Sequence, residues 1–345
     1  MKRFLIGLAI TLSAAAVAYV LGPTTSFPVK LTDRISVSGN LTELERDINQ
    51  SEQRAGLKTD NQARIVWADS LRKQKTPFSI VYIPGFAASW AEGDPVHKRL
   101  AKQFGCNLYL ARPHEHGVQS RDAMKTLTPA SYAASAERAL AIGKQLGEKV
   151  IVIGTSAGGM LTLYLASRHP ELHSIVLYSP CIAVANPALA LVTKPWGKQI
   201  IDRVMGGEHI EITHYKPDRA QYWLTRYHTN GLITLQTMLD EYMTPENFAN
   251  VKQPVFLGYY YRDDDHQDKV VSVAAMQEMF QALGTPENQK REVAFPKSGE
   301  HVIASHFTSG DLDGVYRETE RFLKEVAGLT PVAQPASPLA FDQKK

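Results

Sequence analysis

The chain of 345 residues is 44% hydrophobic and 21% charged, a composition typical of a globular protein with a substantial core. Its formal net charge is only +3, and its lysine and arginine residues are scattered rather than clustered. Such a charge distribution provides no basic surface for nucleic acid, so DNA and RNA are excluded as main partners. Cys106 and Cys181 are the two cysteines; we predict that both are unpaired and buried, with no metal site.

The N-terminus is typical of a membrane segment. Lys2 and Arg3 precede "FLIGLAITLSAAAVAYVL", an uncharged stretch long enough to cross about 30 Å of hydrocarbon. An Ala-Val-Ala pattern at residues 16–18 is compatible with cleavage of a signal peptide, but apolar residues continue beyond it. We favour an uncleaved membrane anchor over residues 1–22, with a cleaved signal peptide as the alternative. In both cases we expect the rest of the chain to be extracytoplasmic.

Short apolar runs alternate with helix-length segments after residue 60. We predict strands at residues 79–84, 106–111, 149–154, 173–179, 254–260 and 291–296, and helices at residues 129–146, 157–168, 273–283 and 314–326. Nearly continuous apolarity is typical of buried parallel strands, and the alternation indicates βαβ units. The predicted fold class is therefore α/β, with a mostly parallel central sheet and helices on both faces.

Three intervals depart from this alternation. Residues 180–251 contain no clear strand and many aromatic side chains, so we predict a helical cap inserted at about residues 181–251. Residues 329–345 are rich in proline and alanine, which predicts a disordered tail. Residues 23–60 are predicted to form a linker and lead-in, which leaves residues 61–328 for the α/β domain with its cap.

A serine stands between two glycines where the third predicted strand gives way to a helix. The pentapeptide is Gly154, Thr155, Ser156, Ala157 and Gly158, which has the pattern G-x-S-x-G. Between a strand and a helix this pattern is typical of a nucleophile elbow, a tight turn that presents the serine hydroxyl at a helix N-terminus. The alternative is an ordinary turn with Ser156 as a helix N-cap.

A serine hydroxyl is a weak nucleophile near neutral pH, so such a site also needs a base and an oriented acid. His301 is the candidate base because it lies in a glycine-containing loop between the last predicted strand and the last helix. The candidate acids lie in "YYYRDDDHQDKVVSV", after the strand at residues 254–260. We choose Asp268 because the next helix must start soon after the acid, and we keep Asp263 and Asp264 as alternatives.

Negative charge on a tetrahedral intermediate requires two N–H donors. The backbone of Ala157, directly after the serine, is one candidate. The backbone of Phe86 is the other, because it lies in the turn "IPGFAASW" that follows the strand at residues 79–84. Proline–glycine is a common turn, and the alternative is that Phe86 is simply a core residue.

These motifs, in this order, resemble the α/β-hydrolase superfamily over about residues 60–328. The chain is most similar to the branch that contains monoacylglycerol lipases, lysophospholipases and serine aminopeptidase-like domains. "YIPGFAAS", "ARPHEHGVQS", "GTSAGG" and "SGEHV" match the oxyanion stretch, post-strand stretch, elbow and histidine loop of that branch, with Pro84 in place of a common histidine. Position by position, the resemblance implies a nucleophile, base, acid and two oxyanion donors at Ser156, His301, Asp268, Phe86 and Ala157.

The resemblance also implies a serine hydrolase that cleaves carboxylic esters through an acyl-enzyme without a cofactor. Apolar cap residues and the N-terminal membrane segment favour a small-molecule ester with a hydrophobic acyl group. A serine aminopeptidase-like peptidase is the alternative, and its candidate amine anchors in the cap are Glu208, Glu211, Asp218, Asp240 and Glu241. A non-catalytic binding protein of this fold is disfavoured because none of the expected site residues is missing.

Overall fold

The computed structural model describes residues 2–25, 27 and 35–333. The strands in chain order are β1 (Arg64–Val66), β2 (Thr76–Ile83), β3 (Asn107–Leu110), β4 (Gly147–Thr155), β5 (Ser174–Tyr178), β6 (His209–Glu211), β7 (Arg226–His228), β8 (Val255–Tyr259) and β9 (Lys290–Ala294). The helices are α1 (Lys2–Val20), α2 (Leu41–Arg54), α3 (Val96–Phe104), α4 (Pro129–Leu146), α5 (Ala157–Arg168), α6 (Gly197–Met205), α7 (Pro217–Tyr222), α8 (Asn230–Tyr242), α9 (Pro245–Asn250), α10 (Val273–Ala282) and α11 (Leu312–Glu325).

Seven strands form the central sheet in the order β1-β3-β2-β4-β5-β8-β9. Every neighbouring pair is parallel except β1 and β3, which pair antiparallel. The predicted α/β class and mostly parallel sheet are therefore confirmed, and the six predicted strands correspond to β2, β3, β4, β5, β8 and β9. The edge strand β1 was not predicted because its three residues are only half buried and form no apolar run.

Two apolar clusters, one on each face of the sheet, form the core. Val81 and Val152 belong to the cluster that contains α4 and α5, whereas Ile80 and Ile151 belong to the cluster that contains α3 and α11. Successive residues of a strand point to opposite faces, which is why β2 and β4 are apolar almost throughout. The loop that contains Phe86 begins at the carboxyl end of β2, and the turn that contains Ser156 begins at the carboxyl end of β4.

The cap contains helices and one small antiparallel sheet. β6 pairs with β7, with His209 opposite His228, so the prediction of a cap without strands needs correction. Each of these strands has three residues and includes charged or polar side chains, so neither contains the apolar run on which the prediction depended. Of the cap helices, α9 packs against α5 and α10 beside the main sheet.

The segment predicted as a linker and lead-in, residues 23–60, contains a helix, α2. Leu44 and Ile48 lie one turn apart on the buried face of this helix, and Asn40 caps its N-terminus by accepting two backbone N–H groups. The few apolar residues of α2 gave too short a pattern for a prediction. Residues 26 and 28–34 of the predicted linker lie outside the described residues.

The loop that precedes β1 binds the cap to the α/β domain. The Lys58 ammonium donates to the backbone carbonyls of Ala220 at 2.5 Å and Trp223 at 2.8 Å. Nearby, the side-chain amide of Asn61 donates to the carbonyl of Gln221 at 3.0 Å. Burial lowers the pKa of Lys58. These bonds attach the cap segment around α7 to the loop that precedes β1.

The helix α1 is the one described helix that is long and apolar enough to cross a membrane. Its window Arg3–Val20 has a mean hydropathy of 1.8, and none of its residues is buried. Its carboxyl end contacts the cap, because the indole of Trp196 donates to the carbonyl of Ala18 at 3.1 Å. The backbone N–H of Trp196 also donates to the carbonyl of Pro23 at 2.9 Å. The apolar helix therefore ends beside the cap.

The first residues of the predicted tail pack against the domain. Leu329 is buried, and the N–H of Val332 donates to the carbonyl of Gln103 at 2.9 Å. Residues 334–345 of the predicted disordered tail lie outside the described residues.

Both cysteines are free and buried, as predicted. Burial raises the pKa of Cys106 and of Cys181 to about 12. A thiol with such a pKa is protonated near neutral pH and is a poor nucleophile.

Candidate active site

Ser156 lies in the turn between β4 and α5, in a backbone conformation that few residues other than glycine adopt. Its φ is +54° and its ψ is −119°. Its N–H donates to the carbonyl of Tyr178 at 2.9 Å, and its carbonyl accepts the N–H of Gly159 at 2.9 Å. The surrounding structure thus enforces the tight strand-to-helix turn that the sequence predicts.

Two glycines make this turn sterically possible. A Cβ atom on Gly154 would lie 2.3 Å from the carbonyl oxygen of Gly158, and a Cβ atom on Gly158 would lie 2.0 Å from that of Ile83. Both distances are below the 3.0 Å that real Cβ contacts respect. Only residues without a side chain therefore allow α5 to approach β2 and β4 so closely.

His301 and Asp268 form a short, buried polar contact. Nδ1 of His301 lies 2.6 Å from Oδ2 of Asp268. The other oxygen, Oδ1, accepts the N–H groups of Val270 at 2.8 Å and Val271 at 3.1 Å. Both carboxylate oxygens are satisfied, and the imidazole is held in one orientation with its Nδ1 as donor.

The other ring nitrogen of His301, Nε2, is buried and has no hydrogen-bond partner in the described part of the chain. Burial lowers the pKa of His301, but the charge and the hydrogen bond of Asp268 outweigh this effect and raise the pKa above its usual value. With Nδ1 engaged, Nε2 is the nitrogen that can exchange a proton with a group in the cavity.

The alternative acids Asp263 and Asp264 lie in an exposed turn. Asp263 accepts the backbone N–H of His266 at 2.8 Å and contacts its ring at 2.6 Å. Neither alternative contacts His301 in the described structure. In the chain this turn lies between β8 and Asp268, as expected of an inserted loop.

The two candidate N–H donors adjoin Ser156. Ala157 is the first residue of α5, where backbone N–H groups have no acceptor within the helix. Phe86 follows Gly85, and a Cβ atom on Gly85 would lie only 2.9 Å from Cβ of Ser156. Neither the Phe86 nor the Ala157 N–H donates to another group among the described residues. Both donors are therefore available to an anion next to Ser156.

A cavity of about 690 Å³ lies over these groups. Ser156, His301 and Phe86 line it directly, whereas Asp268 and Ala157 adjoin it behind His301 and Ser156. The cap supplies mostly apolar and aromatic lining, which includes Leu189, Ile212, Tyr215, Trp223, Tyr227 and Leu232. The structure thus brings the five candidate site residues together at one cavity.

The acidic residues considered as amine anchors lie elsewhere. None of the five lines the described cavity: Glu208, Glu211, Asp218, Asp240 and Glu241. Glu208 instead pairs with Lys198 at 2.9 Å, and Glu211 pairs with Arg226. The carboxyl groups that do line the cavity belong to Glu92, Asp265 and Glu300.

Five charged residues that were not among the predicted site residues line the described cavity: Glu92, Arg219, Asp265, Lys269 and Glu300. Glu92 is buried in a short 3-10 turn, Trp90–Gly93, that follows the loop with Phe86. Arg219 of α7 donates to Glu300 at 3.3 Å and stacks over the ring of Tyr215. The only available signal for Glu92 was an acidic residue within the otherwise uncharged stretch "GFAASWAEG".

No group of three or more His, Cys, Asp or Glu side chains within residues 2–25, 27 and 35–333 is arranged to hold a metal ion. The independence of the site from metals and cofactors stays a prediction. The polar groups of the cavity include a hydroxyl, imidazoles, carboxyl groups and a guanidinium, and a hydroxyl beside an imidazole is suited to nucleophilic catalysis and proton transfer.

The chain belongs to the alpha/beta hydrolase family, whose model matches residues 80–313. It is similar to the thermostable monoacylglycerol lipase of Bacillus sp. (strain H-257), with 25% identity over 235 residues that cover 68% of this chain and 87% of the relative. The predicted resemblance to the monoacylglycerol lipase branch is thus confirmed.

Solved structures share the fold at low sequence identity. One comes from the work on LipS and LipT, two metagenome-derived lipolytic enzymes, with a TM-score of 0.61, 15% identity and coverage of 78% of this chain and 99% of that chain. A soluble variant of monoglyceride lipase from Saccharomyces cerevisiae has a TM-score of 0.56 and 14% identity, with coverage of 76% and 91%. The monoacylglycerol lipase of Paleococcus ferrophilus has a TM-score of 0.55 and 15% identity, with coverage of 76% and 99%.

Proposed function

We propose that the protein is a serine hydrolase that cleaves carboxylic esters with a hydrophobic acyl group. Ser156 is the nucleophile, His301 the general base, and Asp268 the acid that orients His301. One observation carries the proposal: a single cavity joins the strained serine turn, the unpartnered Nε2 of His301 and a loop with a free N–H. The family and the similarity to a monoacylglycerol lipase support it.

The reaction is acyl transfer in two halves. Nε2 of His301 takes the proton of the Ser156 hydroxyl as Oγ attacks the ester carbonyl, and the N–H groups of Phe86 and Ala157 stabilise the oxyanion. The intermediate collapses, and the alcohol leaves with the proton from His301, which creates the acyl-enzyme. Water then gives a proton to His301 and attacks the acyl carbon, and the returned proton restores Ser156 as the acid leaves.

The lining of the cavity supports a hydrophobic acyl group. Leu189, Ile212 and Leu232 contribute aliphatic surface from the cap, and burial of an acyl chain against them is favourable at about 25 cal/mol per Å². The acidic lining group nearest in sequence to the base, Glu300, pairs with Arg219. No carboxylate of the described cap residues lines the cavity, so the cap supplies no acidic partner there for the α-amino group that a peptidase of this type must bind.

The function is tested with the full-length protein in detergent. We expect a fluorophosphonate probe to modify Ser156, as located by mass mapping, and we expect His301→Ala to abolish the modification. The same sample is assayed with p-nitrophenyl esters of increasing acyl length and with aminoacyl p-nitroanilides. Ester turnover that rises with acyl length supports the proposal, faster anilide turnover would establish the peptidase, and a folded protein that resists the probe would exclude a serine hydrolase.

We further propose that α1 anchors the protein in a membrane, with the hydrolase domain on the extracytoplasmic side. α1 is exposed and uncharged after Arg3. Exposed apolar side chains of the cap, Leu191, Ile200 and Val204, lie in the segment whose Trp196 contacts the end of this helix. Lipid esters would therefore be concentrated close to the cap.

Cell fractionation tests the anchor. We expect the full chain to sediment with membranes, to resist an alkaline wash and to be released by detergent. A variant with Leu8→Arg and Leu12→Arg should lose this association, because each arginine at a helix centre costs roughly 3 kcal/mol of insertion free energy. A soluble wild-type chain that begins after Ala18 would replace the anchor with a cleaved signal peptide.

A further inference from the structure

Glu92 is a buried acidic residue in the wall of the cavity that the proposed mechanism does not use. It is only 2% exposed, and no Lys, Arg or His side chain in the described chain forms an ion pair with it. Burial of a carboxyl group without a paired cation is unfavourable, because the ionised form loses its hydration. A buried carboxyl group therefore requires hydrogen-bond donors that offset this cost.

The carboxyl group of Glu92 holds the loop that carries Phe86. Its Oε2 accepts the backbone N–H of Gly85. A Cβ atom on Gly85 would lie 2.8 Å from Oε1 of Glu92 and 2.9 Å from Cβ of Ser156. The bare backbone of Gly85 therefore separates the carboxyl group from the serine, and any larger residue there would displace one of them.

Titratable and charged groups face Glu92 from several elements. They are Tyr82 of β2, Tyr132 of α4, Tyr215 and Arg219 of the cap, and His301. Tyr82 also exchanges a hydrogen bond with Thr155, the residue before Ser156, at 3.0 Å. Asp268 and Arg219 are the other charged groups that act on His301. Glu92 thus belongs to the electrostatic surroundings of both the serine turn and the histidine.

We propose that Glu92 is a positioning residue with two effects: it fixes the oxyanion loop through Gly85, and its negative charge favours the imidazolium form of His301. The second effect rests on the proposed function, in which that imidazolium forms when His301 takes the serine proton. Asp268 acts through a direct hydrogen bond, whereas Glu92 acts on His301 through its charge. Two carboxyl groups therefore control one base.

The charge of Glu92 depends on pH near neutrality. Burial raises the pKa of Glu92 to about 7, although the N–H of Gly85 and the charges of His301 and Arg219 act in the opposite direction. The electrostatic interaction between Glu92 and His301 couples their titrations. An ionised Glu92 raises the pKa of His301, so its removal must move the titration of His301 to lower pH.

Glu92→Gln tests the proposal, because glutamine keeps the size and an oxygen acceptor for Gly85 but carries no charge. We expect the pKa of His301, read by ¹⁵N-histidine NMR of the full chain in detergent micelles, to fall by about one pH unit. The acidic limb of kcat/KM for a p-nitrophenyl ester should move by the same amount. Glu92→Ala also removes the acceptor, and its kcat should fall at least about tenfold because the Phe86 donor is no longer held.

Glu137→Gln is the matched control. Glu137 is equally buried, at 6% exposure, but it pairs with His169 outside the cavity. We expect this variant to leave the His301 titration unchanged. A His301 titration that is the same in Glu92→Gln and wild type would overturn the proposal. Because NMR needs no substrate, this result is distinct from a failure of ester turnover, which would overturn the proposed function alone.

Discussion

Replacement of Ser156 by alanine is expected to lower kcat for ester hydrolysis by at least about four orders of magnitude. The variant loses the hydroxyl oxygen that we propose as the nucleophile, while alanine retains the Cβ and the backbone contacts of the turn. The N–H groups of Phe86 and Ala157 remain and would account for any residual activity. Hydrolysis of a p-nitrophenyl ester by the full chain in detergent, at substrate concentrations above KM, measures the effect.

Two further variants make this result specific. His301→Ala should lose a similar fraction of activity, because the serine then has no base. Ser167→Ala is the matched control, since Ser167 lies on the same helix α5 and only donates to the carbonyl of Tyr164; its kcat should equal that of the wild type. Wild-type activity in Ser156→Ala or His301→Ala, with an unchanged unfolding temperature, would remove that residue from the proposed mechanism.

Asp268→Asn is expected to lower kcat by about three to four orders of magnitude, as loss of the orienting acid does in other serine hydrolases. The asparagine amide can donate to Nδ1 of His301, which would place the proton on Nε2 and leave it unable to accept the serine proton. Oδ1 can still accept the N–H groups of Val270 and Val271, so the fold should persist. The rate is measured at pH 8 with the same ester.

Asp263→Asn provides the comparison for the acid. Asp263 lies in an exposed turn where it contacts His266, so its replacement should change kcat by less than about threefold. If Asp263→Asn were the more damaging variant, the role of the acid would pass to Asp263 and the inserted turn would have to follow it in the chain.

Much of the fold is predictable from the sequence, because the secondary structure that the local sequence favours is also the one that packs in the folded chain. The helices predicted at residues 129–146 and 157–168 coincide with α4 and α5, since the Thr128 cap with a following proline starts the first and the serine turn starts the second. The short strands β1, β6 and β7 were missed because their pairing is set by neighbouring segments rather than by apolar runs. The amphipathic helix α2 was missed because it has few apolar positions, and α3 was missed because its nine residues contain only two turns of the apolar pattern.

The residues of the candidate site also divide into those that the sequence predicts and those that it does not. The positions of three site residues are predictable, because each lies in a loop or turn that follows a strand: Ser156, His301 and Asp268. The carboxyl ends of parallel strands meet at one edge of the sheet, so these loops lie close together. Glu92 escaped prediction because a fully buried carboxyl group contradicts the general preference for exposed acids. Arg219 escaped it because only the folding of the cap brings this residue over the cavity.

The contact of Lys58 with the cap restricts how the enzyme can exchange substrate for product. If the cap swung away as one body, the ammonium group would lose the carbonyls of Ala220 and Trp223, and each lost bond would cost about 1–3 kcal/mol. These two bonds therefore oppose opening of the cap as one body, whereas movements of individual side chains at the entrance of the cavity would leave them intact. Selectivity for one ester over another then depends on the shape of the cap surface that lines the cavity. This surface can change without any change in the reacting groups.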